Sequence, residues 1–204
     1  RENWDLVIDI DCDESFELAK DTAELVVREL NEHGIDNISV KFSGNRGFHI
    51  GVRAEAFPEE VGGEEFKKLY PNLGRGIVDY IRENLKDEIV DKVESHGFED
   101  KIRTDDGVDP FQVADIENDW GQRHLFRMPY SLHDGSWLVS KPIKPEEIQS
   151  FEKEDAKMEN IEFEHSFLKE YEKNEAANLA IQAMDFIESR RKEKKERRFD
   201  EDRE

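Results

Sequence analysis

Cysteine is nearly absent from this chain: Cys12 is the only one among 204 residues. One thiol makes no internal disulfide and no cysteine-based zinc cage, and it fits an intracellular, cytoplasmic setting. Cys12 itself reads as a small buried hydrophobe. Long apolar runs are missing as well. None approaches the roughly 18 residues of a membrane span, no basic-then-apolar leader is visible, and no membrane association is expected. Basic residues are outnumbered, 30 Lys and Arg against 51 Asp and Glu, for a formal net charge of −21. That argues against a protein that binds nucleic acid through its overall charge. Any such role needs the cations gathered at one place. The chain also lacks an opening Met. It starts at Arg1 with a strand almost at once, which predicts a fragment whose N-terminal part is absent.

What is present supports one domain. Apolar residues make up 36% of the chain and charged residues 40%, enough for a real core beneath a very polar surface. In DLVIDIDCD (5–13), Leu6, Ile8 and Ile10 alternate with Val7, Asp9 and Asp11, the period of a strand. A helix is predicted over 14–33, with Asp13 or Ser15 as its cap and Gly34 just past its end. NISVKF (37–42), the turn SGNRG and FHIGVR (48–53) read as a β-hairpin. Residues 58–110 look helical but irregular, best at 76–93. Short strands are predicted at 111–116 and 138–143, with Pro145 opening a short helix. A long helix is predicted from about 163 to 195, and the charge run RRKEKKERRFDEDRE reads as a solvated helix end. The expected class is α/β (α+β): a mixed or antiparallel sheet flanked by helices, with a core over 1–160 and a C-terminal helix and charged tail over 161–204 packed on it.

Three stretches carry chemistry. Asp9 and Asp11, two apart on a strand, place their carboxylates on one face. Two like charges so close repel unless a proton or cation intervenes, and an oxygen-preferring divalent ion such as Mg²⁺ or Mn²⁺ is the natural remedy. In SGNRGFH (43–49), Gly44 and Gly47 permit a sharp turn, and Ser43 and the turn amides suit anionic oxygens. Arg46 offers a planar fork for phosphate. His49 projects opposite Phe48 and Ile50. In HLFRMPYSLHDGSWLVSKPI (124–143), Arg127 and His133 are cationic or proton-donating candidates. Just before it, VADIE ends a predicted strand at Asp115, a possible third carboxylate.

DIDxD, SGNRGFHI, a D-I strand and HLFRMPYSLH…LVSKPI, in that order over roughly residues 4–145, closely resemble the small catalytic subunit of archaeal and eukaryotic-type DNA primase. GRGIVDYI (74–81) resembles a stretch of archaeal members. The resemblance implies a primase catalytic core that joins nucleotides on a single-stranded DNA template to make short replication primers. It implies that Asp9, Asp11 and Asp115 are catalytic and hold two Mg²⁺ or Mn²⁺ ions, ~3.5–4 Å apart in such sites. It implies that Ser43, Asn45, Arg46, His49, Arg127 and His133 bind the nucleoside triphosphate. Partners implied are the template, the triphosphates and a large primase subunit or fused equivalent. Archaeal relatives often insert a zinc-binding element. No zinc site is predicted here, because one cysteine cannot support one.

Other readings stay open: a repair or end-joining polymerase of the same superfamily, a non-catalytic nucleotide- or DNA-binding relic, and a metal-dependent phosphatase or nuclease. The hairpin has no evident role in the last. Lys41, Arg46, Arg53, Arg127, Lys141 and Lys144 are expected to form a local basic groove for the template. Asp13 is expected to cap the helix and Asp5 to be solvated. His33, His96 and His165 are read as surface residues and His124 as packing near the site. Trp4, Trp120 and Trp137 are read as core or rim.

Overall fold

The computed structural model describes residues 3–105, 107–118 and 125–201, the last five by backbone alone. The chain runs through β1 (Leu6–Asp11), α1 (Phe16–Glu32), β2 (Ser39–Phe42) and β3 (Gly47–Val52). A two-residue ribbon follows, β4 (Glu60–Val61) with β5 (Glu64–Glu65), then the helix α2 (Asn72–Ser95). A second ribbon, β6 (Arg103–Thr104) with β7 (Gly107–Val108), precedes β8 (Asp115–Ile116), β9 (Pro142–Ile143) and α3 (Ala177–Glu201). Five strands form one sheet in the order β8-β1-β3-β2-β9, and every pairing in it is antiparallel. The fold is α+β. No helix among the described residues is long and apolar enough to cross a membrane.

Strand alternation gives the sheet two unlike faces. Leu6, Ile8, Ile10, Phe42, Phe48 and Ile50 are fully buried. They meet Phe16 of α1 and Phe151: the Phe16 ring lies 5.6 Å from Phe42 and 5.5 Å from Phe48. Burial of such side chains contributes about 1.5–3 kcal/mol each. Ser15, not Asp13, caps α1, accepting from Leu18 N at 3.2 Å, because its extended backbone sits at the N-cap. The opposite face carries Asp9, Asp11, Lys41 and His49. Part of it is covered by Phe167 and Leu168, which a Cβ at Gly51 would approach within 2.8 and 2.7 Å.

Several predicted elements shorten. Residues 111–116 are not one strand: Asp109 caps a 3₁₀ turn at Pro110–Gln112, and only Asp115–Ile116 pairs. Of 138–143 only Pro142–Ile143 is a strand, with Leu132 and Val139 making an isolated bridge. The last helix starts at Ala177, not near 163. Asn174 and Leu168 both take positive φ there, a conformation no helix continues through. Phe167 and Tyr171, whose spacing with Leu179, Ala183 and Ile187 suggests one apolar stripe of a longer helix, therefore lie outside it. Leu179 and Ala183 lie within it and are fully buried. A Cβ on Gly76 of α2 would sit 2.1 Å from Ile187 Cδ1, so the bare backbone at Gly76 is what lets α3 lie close.

Candidate active site

The register of the sheet builds the site in rows. Asp9 stands opposite His49, and Lys41 opposite His49 on its other side. One step along, Asp11 stands opposite Gly47 and, across the other edge, opposite Asp115. Gly47 has no alternative: a Cβ there would lie 1.7 Å from Ile10 O. The SGNRG turn closes on itself through Ser43, whose N donates to Gly47 O at 2.9 Å and whose Oγ accepts from Gly47 N at 3.3 Å.

A cavity of about 330 Å³ opens over this face, lined by eight of the nine expected site residues: Asp9, Asp11, Ser43, Asn45, Arg46, His49, Arg127 and His133. Residues far apart in sequence thus converge. His133 is anchored by Nδ1, which accepts from Gly135 N and Ser136 N at 3.1 Å each. That places its proton on Nε2. Arg127 donates to Leu132 O at 3.1 Å and lies 3.5 Å from Asp134. Asp115 is the ninth. It adjoins Asp11 across the β1–β8 ladder but does not line the cavity. His124 and Trp120 lie outside the described residues.

Several roles differ from expectation. Asp13 pairs with Arg46 at 2.5 Å, and Arg46 also reaches Asp11 at 3.0 Å. Asp5 is not idle: its Oδ1 accepts from Ala54 N at 2.8 Å. The six-cation groove does not form. Only Arg46 and Arg127 of the six line the cavity. Arg53 is held by Glu55 and Leu168 O, and Lys141 donates to Asp155 O. Lys41 is 1% exposed. Its Nζ lies 2.6 Å from His49 Nδ1 and donates to Ser140 Oγ at 2.9 Å. An ammonium has only donors, so His49 keeps its proton on Nε2, 3.2 Å from Asp9 Oδ1. The sequence signal for Lys41 was there: it alternates with buried Val40 and Phe42 and so shares the face of His49. His33, His96 and His165 are half-buried, not surface residues, and His96 lies 3.1 Å from Asp21. Trp4 stacks in the core on Phe66 at 4.3 Å, whereas Trp137 is 72% exposed.

The electrostatics follow from burial and like charge. Burial, then Asp9, push the Asp11 carboxyl up, against the pull of Arg46. Asp115 is raised to about 6, first by burial and then by Glu117, with Asp11 and Asp9 adding to it and Arg82 opposing. Burial lowers Lys41 to about 7. Asp11 and Asp115, held up by burial and by neighbouring carboxylates, are oxygen donors that suit a hard divalent cation. Among the described residues no three His, Cys, Asp or Glu side chains stand as a ready metal cage: Arg46 ties Asp11 to Asp13, and His49 lies against Asp9. The donor chemistry fits Mg²⁺ or Mn²⁺; the ligand geometry would have to close on the ion.

Residues 8–145 match the family model described as DNA primase small subunit. The chain belongs to the DNA primase small subunit family. Within that family's reach it is 34% identical over 98 residues to the DNA primase small subunit PriS of Archaeoglobus fulgidus, covering 43% of this chain and 27% of that one. It is 26% identical over 148 residues to an uncharacterized protein of Methanocaldococcus jannaschii, covering 72% of this chain and 30% of that one. The chain thus spans under a third of the length of either relative. The primase-family match contains every expected site residue from Asp9 to His133.

Proposed function

We propose that this chain is the catalytic core of a DNA primase, a nucleotidyltransferase that makes short primers on a single-stranded DNA template. The observation that carries the reading is the convergence of Asp9 and Asp11 with Ser43, Arg46, Arg127 and His133 around one cavity. Asp9, Asp11 and Asp115 would hold Mg²⁺ or Mn²⁺, which when bound lowers the pKa of an attacking 3′-hydroxyl and offsets charge on the leaving pyrophosphate.

The chain's own residues do the rest by positioning and charge. Arg46 exchanges its two carboxylate partners for triphosphate oxygens. Ser43 Oγ and the turn amides donate to the same oxygens, and His133 donates from Nε2. Arg127, fixed through Leu132 O, supplies a second guanidinium. As the 3′-oxygen bonds to the α-phosphorus, the bond to pyrophosphate breaks, and these donors meet the charge that builds on the departing oxygens. His49, held by Lys41, orients Asp9 and does not itself reach for phosphate. The template and a large subunit or fused equivalent are the partners this activity requires.

The test is synthesis from ribonucleoside or deoxynucleoside triphosphates on unprimed single-stranded DNA, with a pre-annealed primer as the comparison. Products on the unprimed template are expected. Extension of the annealed primer alone would identify a repair or end-joining polymerase, and no incorporation on either would sink the proposal. Arg46→Ala is expected to raise the nucleotide KM at least ~10-fold, the loss of one charge-assisted pair. An unchanged KM would remove Arg46 from the phosphate site.

A further inference from the structure

A second concentration of charge lies away from this site. Helices α2 and α3 enclose a cleft of about 610 Å³. Arg75, Arg82 and Lys86 line it from α2, and Arg190, Arg191 and Lys194 from α3, against three carboxylates, Asp79, Glu83 and Asp109. Six cations to three acids inverts the balance of the chain, 30 to 51. Part of this charge is used internally: Arg190 reaches Glu83 at 2.7 Å, and Arg82 donates to Ile116 O at 3.1 Å. Lys86, Arg191 and Lys194 are exposed and make no ion pair among the described residues. Two aromatic rings face the same cleft. The Arg82 guanidinium lies 4.1 Å from the Phe111 ring centroid, and that of Arg190 lies 4.9 Å from Phe186.

Cations along a groove interleaved with aromatic and guanidinium planes are what a single strand requires: charge for its phosphates and flat surfaces for its bases. From Arg75 to Lys86 the row runs about 16 Å along the helix, longer than the phosphate tail of one nucleotide. Its inner end adjoins β8, because Arg82 holds Ile116, which follows Asp115 there. We propose that the α2–α3 cleft binds the backbone of a single-stranded nucleic acid and leads it past β8 toward Asp115. The direction of travel rests on the primase reading; the binding does not. The start of the C-terminal charge run is then a contact surface and not only a solvated helix end.

The test is fluorescence anisotropy of a labelled oligothymidylate against this chain, in EDTA and without nucleotide, over a range of salt. The charge reversal Lys86→Glu, Arg191→Glu, Lys194→Glu changes only exposed side chains, and an unchanged melting temperature verifies its fold. It is expected to weaken binding at least ~10-fold at low salt and to flatten the log–log salt slope by about 2, the value for three phosphate contacts on a single strand. The neutral set Lys86→Gln, Arg191→Gln, Lys194→Gln is expected to lose less affinity and as much slope. Lys67→Glu, Lys169→Glu, Lys173→Glu, equal in charge and remote from the cleft, is expected to bind within about twofold of the parent. Equal losses in the cleft and remote triples, unchanged slopes, or no binding by the parent at low salt each overturn the proposal. Displacement by ATP as effective as by unlabelled oligonucleotide, at equal phosphate, also overturns it by making the cleft a mononucleotide pocket. Primer synthesis plays no part in this readout, so the two readings fail separately.

Discussion

Lys41 shows how one residue can act through another. A buried lysine is rare unless paired, and this one sits beneath His49, with Ser140 Oγ as its other acceptor. Ser140 in turn donates to Phe42 O at 3.0 Å, which leaves its oxygen for Lys41. The chain Lys41–His49–Asp9 fixes the imidazole tautomer. Because burial lowers Lys41 to about 7 from an ordinary 10.5, the unfolded chain holds more protons between those values. Stability therefore rises with pH across that window, and the full cost of the buried charge is present below pH 7. Lys41→Met is expected to remove this rise, up to about 1.4 kcal/mol per pH unit, as read from urea unfolding at pH 7 to 10. Parallel curves for the parent and the variant would show that Lys41 is not held as described. That Asp9 and Asp11 share a face was readable from spacing alone. The role of Lys41 was not, because a strand pattern tells which face a side chain shares but not how deeply that face is covered. Here Phe167 and Leu168 cover it from more than a hundred residues away.

At the scale of elements, the β1–β3 ladder is what brings the aspartates to the hairpin. Its tightest point is Gly47, where β3 passes so close to Ile10 that a Cβ would overlap the carbonyl oxygen. Backbone cannot yield as a flexible side chain can, so Gly47→Ala is expected to cost about 3 kcal/mol. In a chain of this size that is a fall of about 6–12 °C in melting temperature. A change under about 2 °C in calorimetry would mean the strands do not approach as described. The β1–α1–β2–β3 order was legible because alternation and caps are local signals. The late elements were not. The apolar spacing of Phe167, Tyr171 and Leu179 mimics one helix face, but the first two pack on the sheet and on Arg53 before the helix begins. Ladder pairing at 111–116 and 138–143 stops after two residues, since a 3₁₀ turn and a bridge use the remaining backbone groups.

The whole molecule carries a net charge of −21, and its surface repels itself. Screening shortens that repulsion to about 3 Å at 1 M salt, so the melting temperature is expected to rise on going from ~10 mM to ~1 M NaCl. A flat or falling curve would show that internal ion pairs outweigh the net field. Within this acidic surface six cations gather in the α2–α3 cleft, whereas the active-site cavity has only Arg46 and Arg127. Composition reports only the sum of the charges, and the groove expected from Lys41, Arg46, Arg53, Arg127, Lys141 and Lys144 shares no residue with this cleft.

Asp9 and Asp11 of β1 are the residues on which catalysis is expected to depend most. Incorporation of labelled nucleotide on unprimed single-stranded DNA, with Mn²⁺, is the most direct measurement, made for the parent, Asp9→Ala and Asp11→Ala with melting curves alongside. The parent is expected to incorporate. Each variant is expected to fold and to lose about 10³-fold or more, the scale of removing a group that stabilises transition-state charge. Incorporation near the parent level by either folded variant would contradict that dependence.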